Sequence, residues 1–123
     1  YGVQIKLEEN MTDKLLTFVE TPIFAEDRAR LLSDDEYQKF QAYMLENYHL
    51  GDVITQTNGC RKIRWRLENN NRGKSSGVRI IYYTLIEKEK LYLMLIYSKN
   101  RKDDMSSLEK NMLRNVVEQI TKE

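Results

Sequence analysis

Hydrophobic and charged residues alternate most regularly in residues 61–67, which predict a β-strand. Ile63, Trp65 and Leu67 fall on one face of this strand, and Lys62, Arg64 and Arg66 fall on the other. The first face is predicted to contact a core, so Trp65 is expected to pack there rather than stack on a base. Cations repeating every second residue are about 7 Å apart, which is close to the spacing of successive phosphates on a nucleic-acid strand.

Two longer apolar runs follow, at residues 78–86 and 91–97, and the charged residues 87–90 separate them. Both runs are rich in β-branched and aromatic residues, which predicts a hairpin with a polar tip. Because the runs are apolar on both faces, we expect a central pair of strands, covered by helices on one side and at least partly on the other.

The rest of the chain predicts one further strand and three helices. Residues 15–19 form a short apolar run that predicts a first strand, and Pro22 then opens a short helix that reaches Leu32. Ser33 with Glu36 forms a capping box before a second helix, which is expected to stop near Gly51. The acidic residues 34–36 therefore favour helix capping over a metal site.

A last helix is predicted over residues 106–123, with Ser106 and Glu109 as its capping box. Its apolar positions are Leu108, Met112, Leu113, Val116, Val117 and Ile120, and all six are predicted to face the core.

Composition indicates one domain. The chain has 123 residues, of which 41% are hydrophobic, so it can bury a single core. We assign residues 15–123 to that domain and expect residues 1–14 to be an N-terminal extension. No apolar run is long enough for a membrane helix, and one cysteine, Cys60, excludes an internal disulfide. The pattern is typical of a cytoplasmic protein, and Cys60 is given no nucleophilic role.

The net charge of +1 conceals an uneven distribution. Residues 1–50 carry 5 basic and 10 acidic side chains, whereas residues 51–102 carry 12 basic and 4 acidic ones. The basic half includes a polar loop at residues 68–77, where Arg72 and Lys74 are candidates for phosphate contact, although the spacing of a Walker A loop is absent. A basic sheet beside acidic helices favours a polyanionic partner over ordinary surface charge.

Three stretches together resemble the RelE/HigB superfamily of bacterial type II toxins: RKIR at 61–64, GVRIIYY at 77–83 and YLMLIYSKN at 92–100. The resemblance covers about residues 15–120 and is strongest to the HigB-like branch. It implies an α+β, RelE-like (microbial RNase-like) fold with an antiparallel-rich sheet, two N-terminal helices and a C-terminal helix. It also implies a ribosome-dependent endoribonuclease that cleaves mRNA, and neutralisation by a cognate antitoxin of the helix-turn-helix type.

The resemblance assigns the chemistry to basic residues of the sheet. Lys62 and Arg64 match the family's pair on the second strand, Arg79 matches its arginine on the third, and Lys99 lies at the basic end of the fourth. Some family members place a tyrosine or histidine near the last helix, where this chain has Met105, Ser106 and Ser107. Tyr97, Tyr82 or a lysine is the alternative acid or base. The RNA-binding candidates are Arg61, Arg66, Arg72, Lys74, Tyr82 and Arg101.

Cleavage of RNA needs no metal or cofactor in this scheme, because the 2′-hydroxyl is the nucleophile. The protein must supply a base, an acid for the leaving 5′ oxygen and cations for the phosphorane. The same residues would also suit a non-catalytic module that binds RNA or the ribosome. A DNA-associated regulatory subunit is a third possibility, although the sequence has no evident recognition helix.

Overall fold

The computed structural model describes residues 2–6, 15–67, 77–99 and 105–122, which form a six-stranded sheet and three α-helices. The strands are β1 (Gly2–Lys6), β2 (Leu15–Glu20), β3 (Asp52–Val53), β4 (Arg61–Arg66), β5 (Gly77–Leu85) and β6 (Lys90–Ser98). The helices are α1 (Pro22–Leu31), α2 (Asp34–Asn47) and α3 (Ser107–Thr121). The predicted α+β class is therefore confirmed.

The sheet is mixed, with the order β1-β2-β6-β5-β4-β3. Strands β2 and β6 are parallel, and the other four neighbouring pairs are antiparallel. The predicted hairpin of β5 and β6 is confirmed at the centre, and a 3₁₀ turn at Ile86–Lys88 joins its strands. The outer strands β1 and β3 had not been predicted: β1 lies within the expected N-terminal extension, whose residues 7–14 are outside the described chain.

Each helix begins at a side chain that caps its first turn. The hydroxyl of Thr21 accepts from the backbone N–H of Phe24 at 3.2 Å, and that of Ser33 accepts from Glu36 at 3.1 Å. The predicted capping box of α3 is complete, because Glu109 also accepts from the backbone N–H of Ser106 at 3.0 Å. Such caps satisfy backbone donors that the helix itself leaves without a partner.

Two apolar clusters cover the two faces of the sheet, as the strand pattern predicted. On the first face, which we call the α1/α2 face, Phe24 and Phe40 pack on Phe18 and Ile80, all with no exposed surface. On the second, the α3 face, helix α3 packs on β5 and β6. The principal contributors there are Ile81, Tyr92, Met94, Tyr97, Leu113, Val117 and Ile120.

The core prediction for α3 is wrong at half of its apolar positions. Leu113, Val117 and Ile120 are buried, but Leu108, Met112 and Val116 are 69%, 60% and 38% exposed. The six positions span a wider arc of the helix surface than the sheet beneath the helix can cover. One side of that arc therefore stays open, beside an apolar groove.

Candidate functional site

The basic strand β4 is positioned by a tight, partly buried loop that precedes it. The backbone N–H of Ile54 donates to the carbonyl of Cys60 at 2.8 Å, and the Thr57 hydroxyl links the same two residues. Thr57 and Cys60 have no exposed surface. Gly59 takes φ 109° within this loop, a conformation that favours glycine. The start of β4 is thereby fixed relative to the core.

The alternation predicted for β4 is confirmed on its apolar side. Ile63, Trp65 and Leu67 pack against the cluster of the α1/α2 face. The ring of Trp65 meets that of Phe40 edge-on, with centroids 5.3 Å apart, and its indole N–H donates to Oε1 of Glu36 at 3.3 Å. Since neighbouring residues of a strand point to opposite faces, Lys62, Arg64 and Arg66 belong to the α3 face.

The strand register brings the predicted basic residues into cross-strand rows on the α3 face. Arg64 pairs with Arg79, which in turn pairs with Tyr97 of β6. Lys62, two residues from Arg64, pairs with Ile81. Directly opposite residues have Cβ atoms about 4.5–5.5 Å apart. Lys62, Arg64, Arg79 and Tyr97, predicted from separate strands, therefore occupy one small area.

The third row extends this area towards the end of β6. Arg66 pairs with Gly77, and the backbone N–H of Lys99 donates to the carbonyl of Gly77 at 3.2 Å. Lys99 thus lies beside the row that contains Arg66. We call Lys62, Arg64, Arg66, Arg79 and Lys99 the basic face.

Arg79 is the most buried cation of the basic face, with 9% of its surface exposed. Within the described residues, no carboxylate forms an ion pair with Arg79, Arg64 or Lys62. Burying a cation without a partner and placing two cations opposite each other both cost stability. An anion bound between Arg64 and Arg79 would offset both costs.

A cleft of about 460 Å³ adjoins this area on the same face of the sheet. Asp52, Val53 and Ile54 line it from the β3 side, Lys62 from β4, and Met105 and Lys110 from the α3 side. Asp52 and Lys62 are register partners. Sequence reasoning missed Asp52 and Lys110, because a two-residue strand has no measurable period and Lys110 looks like any polar helix position.

The structure does not bring two of the RNA-binding candidates, Arg61 and Tyr82, to the basic face. Tyr82 has no exposed surface; its hydroxyl donates to the carbonyl of Tyr48 at 2.8 Å and accepts from the N–H of Gly51 at 3.0 Å. Arg61 donates to the carbonyl of Gly51 at 2.7 Å. Burial raises the pKa of Tyr82. Both side chains hold the turn after α2 against the sheet, and Arg72, Lys74 and Arg101 lie outside the described residues.

Tyr97 pairs with Arg79 across β5 and β6 but is only 2% exposed, so its access to a ligand is restricted. Cys60 is buried as well, and burial raises the pKa of its thiol from 9.0 to about 11. A thiol in that environment stays protonated at neutral pH. Because the thiolate is the reactive form of cysteine, the Cys60 side chain is poorly suited to act as a nucleophile.

The described part of the chain has neither a cluster of metal-ligating side chains nor a membrane-spanning helix. No three His, Cys, Asp or Glu side chains come together there in a way that would hold a metal ion. Likewise, no helix formed by the described residues has the length and apolar character needed to cross a membrane. The comparison with protein families found no family model that matches this chain.

Proposed function

We propose that this protein is an endoribonuclease toxin of a type II toxin–antitoxin system, which cleaves mRNA on the ribosome without a metal ion. The observation that carries the proposal is the Arg64–Arg79 pair, two cations opposite each other with no carboxylate partner among the described residues. A phosphodiester placed between them would meet two guanidinium groups, which bind phosphate in a planar, bidentate manner.

The basic face suits the chemistry of RNA cleavage. The 2′-hydroxyl loses its proton to solvent water as its oxygen attacks the adjacent phosphorus, a phosphorane develops, and the 5′ oxygen leaves with a proton donated by the protein. Arg64 and Arg79 would stabilise the extra negative charge of the phosphorane. Removing one donor of this kind typically lowers the rate of a reaction by about 10²–10³. Arg66 and Lys99 would hold a neighbouring phosphate.

Lys62 is better placed than Tyr97 for proton transfer. Lys62 is partly exposed and lines the cleft, whereas Tyr97 is 2% exposed. The side chain of Lys62 ends in N–H donors, so Lys62 fits the acid that protonates the leaving 5′ oxygen. Tyr97 then serves to position Arg79, its neighbour in the same row.

The experiment is to add the purified protein to ribosomes translating a defined mRNA and to map new 5′ ends. New ends are expected at discrete positions, and a 2′-deoxy nucleotide 5′ to each cut should abolish that cut, because it removes the nucleophile. Arg79→Gln should lower the cleavage rate at least about 100-fold. Arg30→Gln is the matched control, since Arg30 is an exposed arginine of α1 that pairs with Asp27.

A non-catalytic RNA- or ribosome-binding module is the second candidate, and the burial of Tyr97 favours it, because a buried phenol is poorly placed to act as a base. Inhibition of translation with intact mRNA would establish this candidate and overturn the proposed cleavage.

The proposed partner, besides mRNA on the ribosome, is a cognate antitoxin of the helix-turn-helix type. Its support is the sequence resemblance, together with the exposed apolar side chains beside a groove of about 300 Å³ between β6 and α3. Surfaces of this kind commonly mark protein–protein contacts. Co-expression of the neighbouring reading frame should relieve growth arrest and yield a complex that purifies as one species.

A further inference from the structure

The cleft beside the basic face carries opposite charges on a partly apolar lining. Asp52 supplies a carboxylate, whereas Lys62 and Lys110 supply ammonium groups. Ile54 and Met105, both half-buried, add apolar surface and pack against the α3-face cluster. The volume of about 460 Å³ is sufficient for a nucleobase with its ribose.

The cleft lies one nucleotide step from the Arg64–Arg79 pair. Lys62 lines the cleft and shares its face of β4 with Arg64, two residues further on. Two residues of a strand span about 7 Å, which matches the distance between successive phosphates of single-stranded RNA. An RNA strand with a phosphate at the arginine pair would therefore place an adjacent nucleoside at the cleft.

The carboxylate argues for a base in the cleft rather than a second phosphate. A phosphate between Lys62 and Lys110 would also face Asp52, the register partner of Lys62, and like charges repel. A base avoids this repulsion and can use both signs of charge, because base edges carry donors and acceptors side by side.

Guanine fits the charges of the cleft best. An ionised carboxylate only accepts hydrogen bonds, and guanine alone presents two adjacent donors, N1–H and N2–H₂, on its Watson–Crick edge. In adenine and cytosine the amino group adjoins an acceptor nitrogen, and in uracil the N3–H lies between two carbonyls. The O6 and N7 acceptors of guanine are, in turn, common partners of lysine.

We propose that this cleft is a guanine-recognition subsite, in which Asp52 accepts from N1–H and N2–H₂ while Lys110 contacts the acceptor edge. The inference rests on the proposed function, because it places the guanine next to the phosphate that is cleaved. RNA-binding proteins commonly read unstacked bases in this way, through the Watson–Crick edge.

The test compares mRNAs that differ in a single nucleotide next to the cut, which is guanosine, inosine or adenosine. Inosine lacks only the 2-amino group of guanosine, so it removes one donor to the carboxylate. Hydrogen bonds to charged groups predict a loss of about 10- to 100-fold in cleavage rate from guanosine to inosine. Asp52→Asn should reduce that discrimination to within about threefold, because the carboxamide replaces one acceptor oxygen with a donor. Asp35→Asn, in the exposed first turn of α2, is the matched control and should preserve it.

The outcomes separate this inference from the proposed function. Equal cleavage of the guanosine and inosine mRNAs would overturn the subsite and leave the nuclease proposal intact. If no mRNA is cleaved, the nuclease proposal fails, and the subsite is then decided by binding of two single-stranded hexaribonucleotides that contain guanosine or inosine. Tighter binding of the guanosine oligomer, lost in Asp52→Asn, would support the subsite, and equal binding would overturn it.

Discussion

Arg64 and Arg79 face each other directly across the antiparallel pair of β4 and β5. Like charges in this arrangement destabilise a sheet by a few tenths to about 1 kcal/mol, and no described carboxylate compensates either residue. Proteins tolerate such local costs at functional sites. We therefore expect that a change which removes the repulsion between Arg64 and Arg79 makes the protein more stable and less active.

Replacing one member of the pair should make the protein more stable and less active. Arg64→Gln is expected to raise the free energy of unfolding by about 0.2–1 kcal/mol, because it removes the repulsion from Arg79. Cleavage on the ribosome should fall at least about 100-fold. Urea denaturation and 5′-end mapping measure the two effects. A variant that loses both stability and activity would assign Arg64 to the fold instead.

Gly51 and Tyr82 should show strong energetic coupling. A Cβ atom on Gly51 would lie 2.5 Å from the Tyr82 hydroxyl, so Gly51→Ala is expected to cost about 1–3 kcal/mol through overpacking. Tyr82→Phe should cost about 1–3 kcal/mol, because it leaves the buried N–H of Gly51 without its acceptor.

A double-mutant cycle measured by urea denaturation tests this coupling. The double variant should lose less stability than the sum of the single losses, since the phenylalanine removes the closest contact with the new methyl group. Tyr83→Phe is a suitable control, because Tyr83 is the next residue of β5 and packs on the opposite face. Strictly additive losses would mean that the two residues do not share one packing constraint.

The predictable part of the fold and the site follows from strand periodicity. Ile63 and Trp65 define the face of β4, and the same parity assigns Lys62 and Arg64 to the basic face. Parity also places Arg61 with Ile63. It does not predict the role of Arg61, which is to donate a hydrogen bond to the carbonyl of Gly51, ten residues away in sequence. Such contacts depend on tertiary position, which local pattern does not report.

Pairing partners and sheet edges were less accessible from sequence. Asp52 enters the cleft only because the two-residue strand β3 pairs with β4. Met94 is an extra residue in β6, where the register passes from Ile81↔Leu95 to Tyr82↔Leu93. An irregularity of one residue inside an apolar run leaves no mark on its hydrophobic pattern, although it decides which side chains reach the α3 face.

Two adjacent valines of α3 test how much of its apolar surface is core. Val117 is 2% exposed and Val116 is 38% exposed. Val117→Thr should cost at least about 1 kcal/mol, because it buries a hydroxyl in an apolar cluster. Val116→Thr should stay within about 0.5 kcal/mol of the parent. Urea denaturation of both variants in one buffer measures the two free energies of unfolding. Equal losses would contradict the difference in burial between the two valines.

Trp65 provides a spectroscopic test of the two faces, because it is the only tryptophan of the chain. It packs on Phe40 of the α1/α2 face, so RNA bound to the basic face should not stack on it. Titration with a single-stranded RNA should therefore leave tryptophan emission nearly unchanged while anisotropy of the labelled RNA rises. Strong quenching that follows the binding isotherm would place RNA on the wrong face of the sheet for this proposal.

The buried thiol of Cys60 predicts a loss of stability in alkali. Its folded-state pKa is raised by burial to about 11, above the ordinary 9.0. The contribution of the protonated thiol to the free energy of unfolding is fully present below pH 9. It is lost as pH rises towards 11, because only the unfolded chain then releases the thiol proton. The loss approaches about 1.4 kcal/mol per pH unit between these values.

Cys60→Ala isolates this contribution, because the tyrosines whose pKa burial also raises are present in both proteins and their contributions cancel in the comparison. The variant is expected to start from a lower free energy of unfolding, because the smaller side chain leaves a cavity. Between pH 8 and pH 10, however, it should lose about 1 kcal/mol less than the parent. Urea denaturation at several pH values measures both curves. Parallel curves would show that the Cys60 thiol ionises as easily in the folded protein as in the unfolded chain, which its position beneath Thr57 and the α3 cluster contradicts.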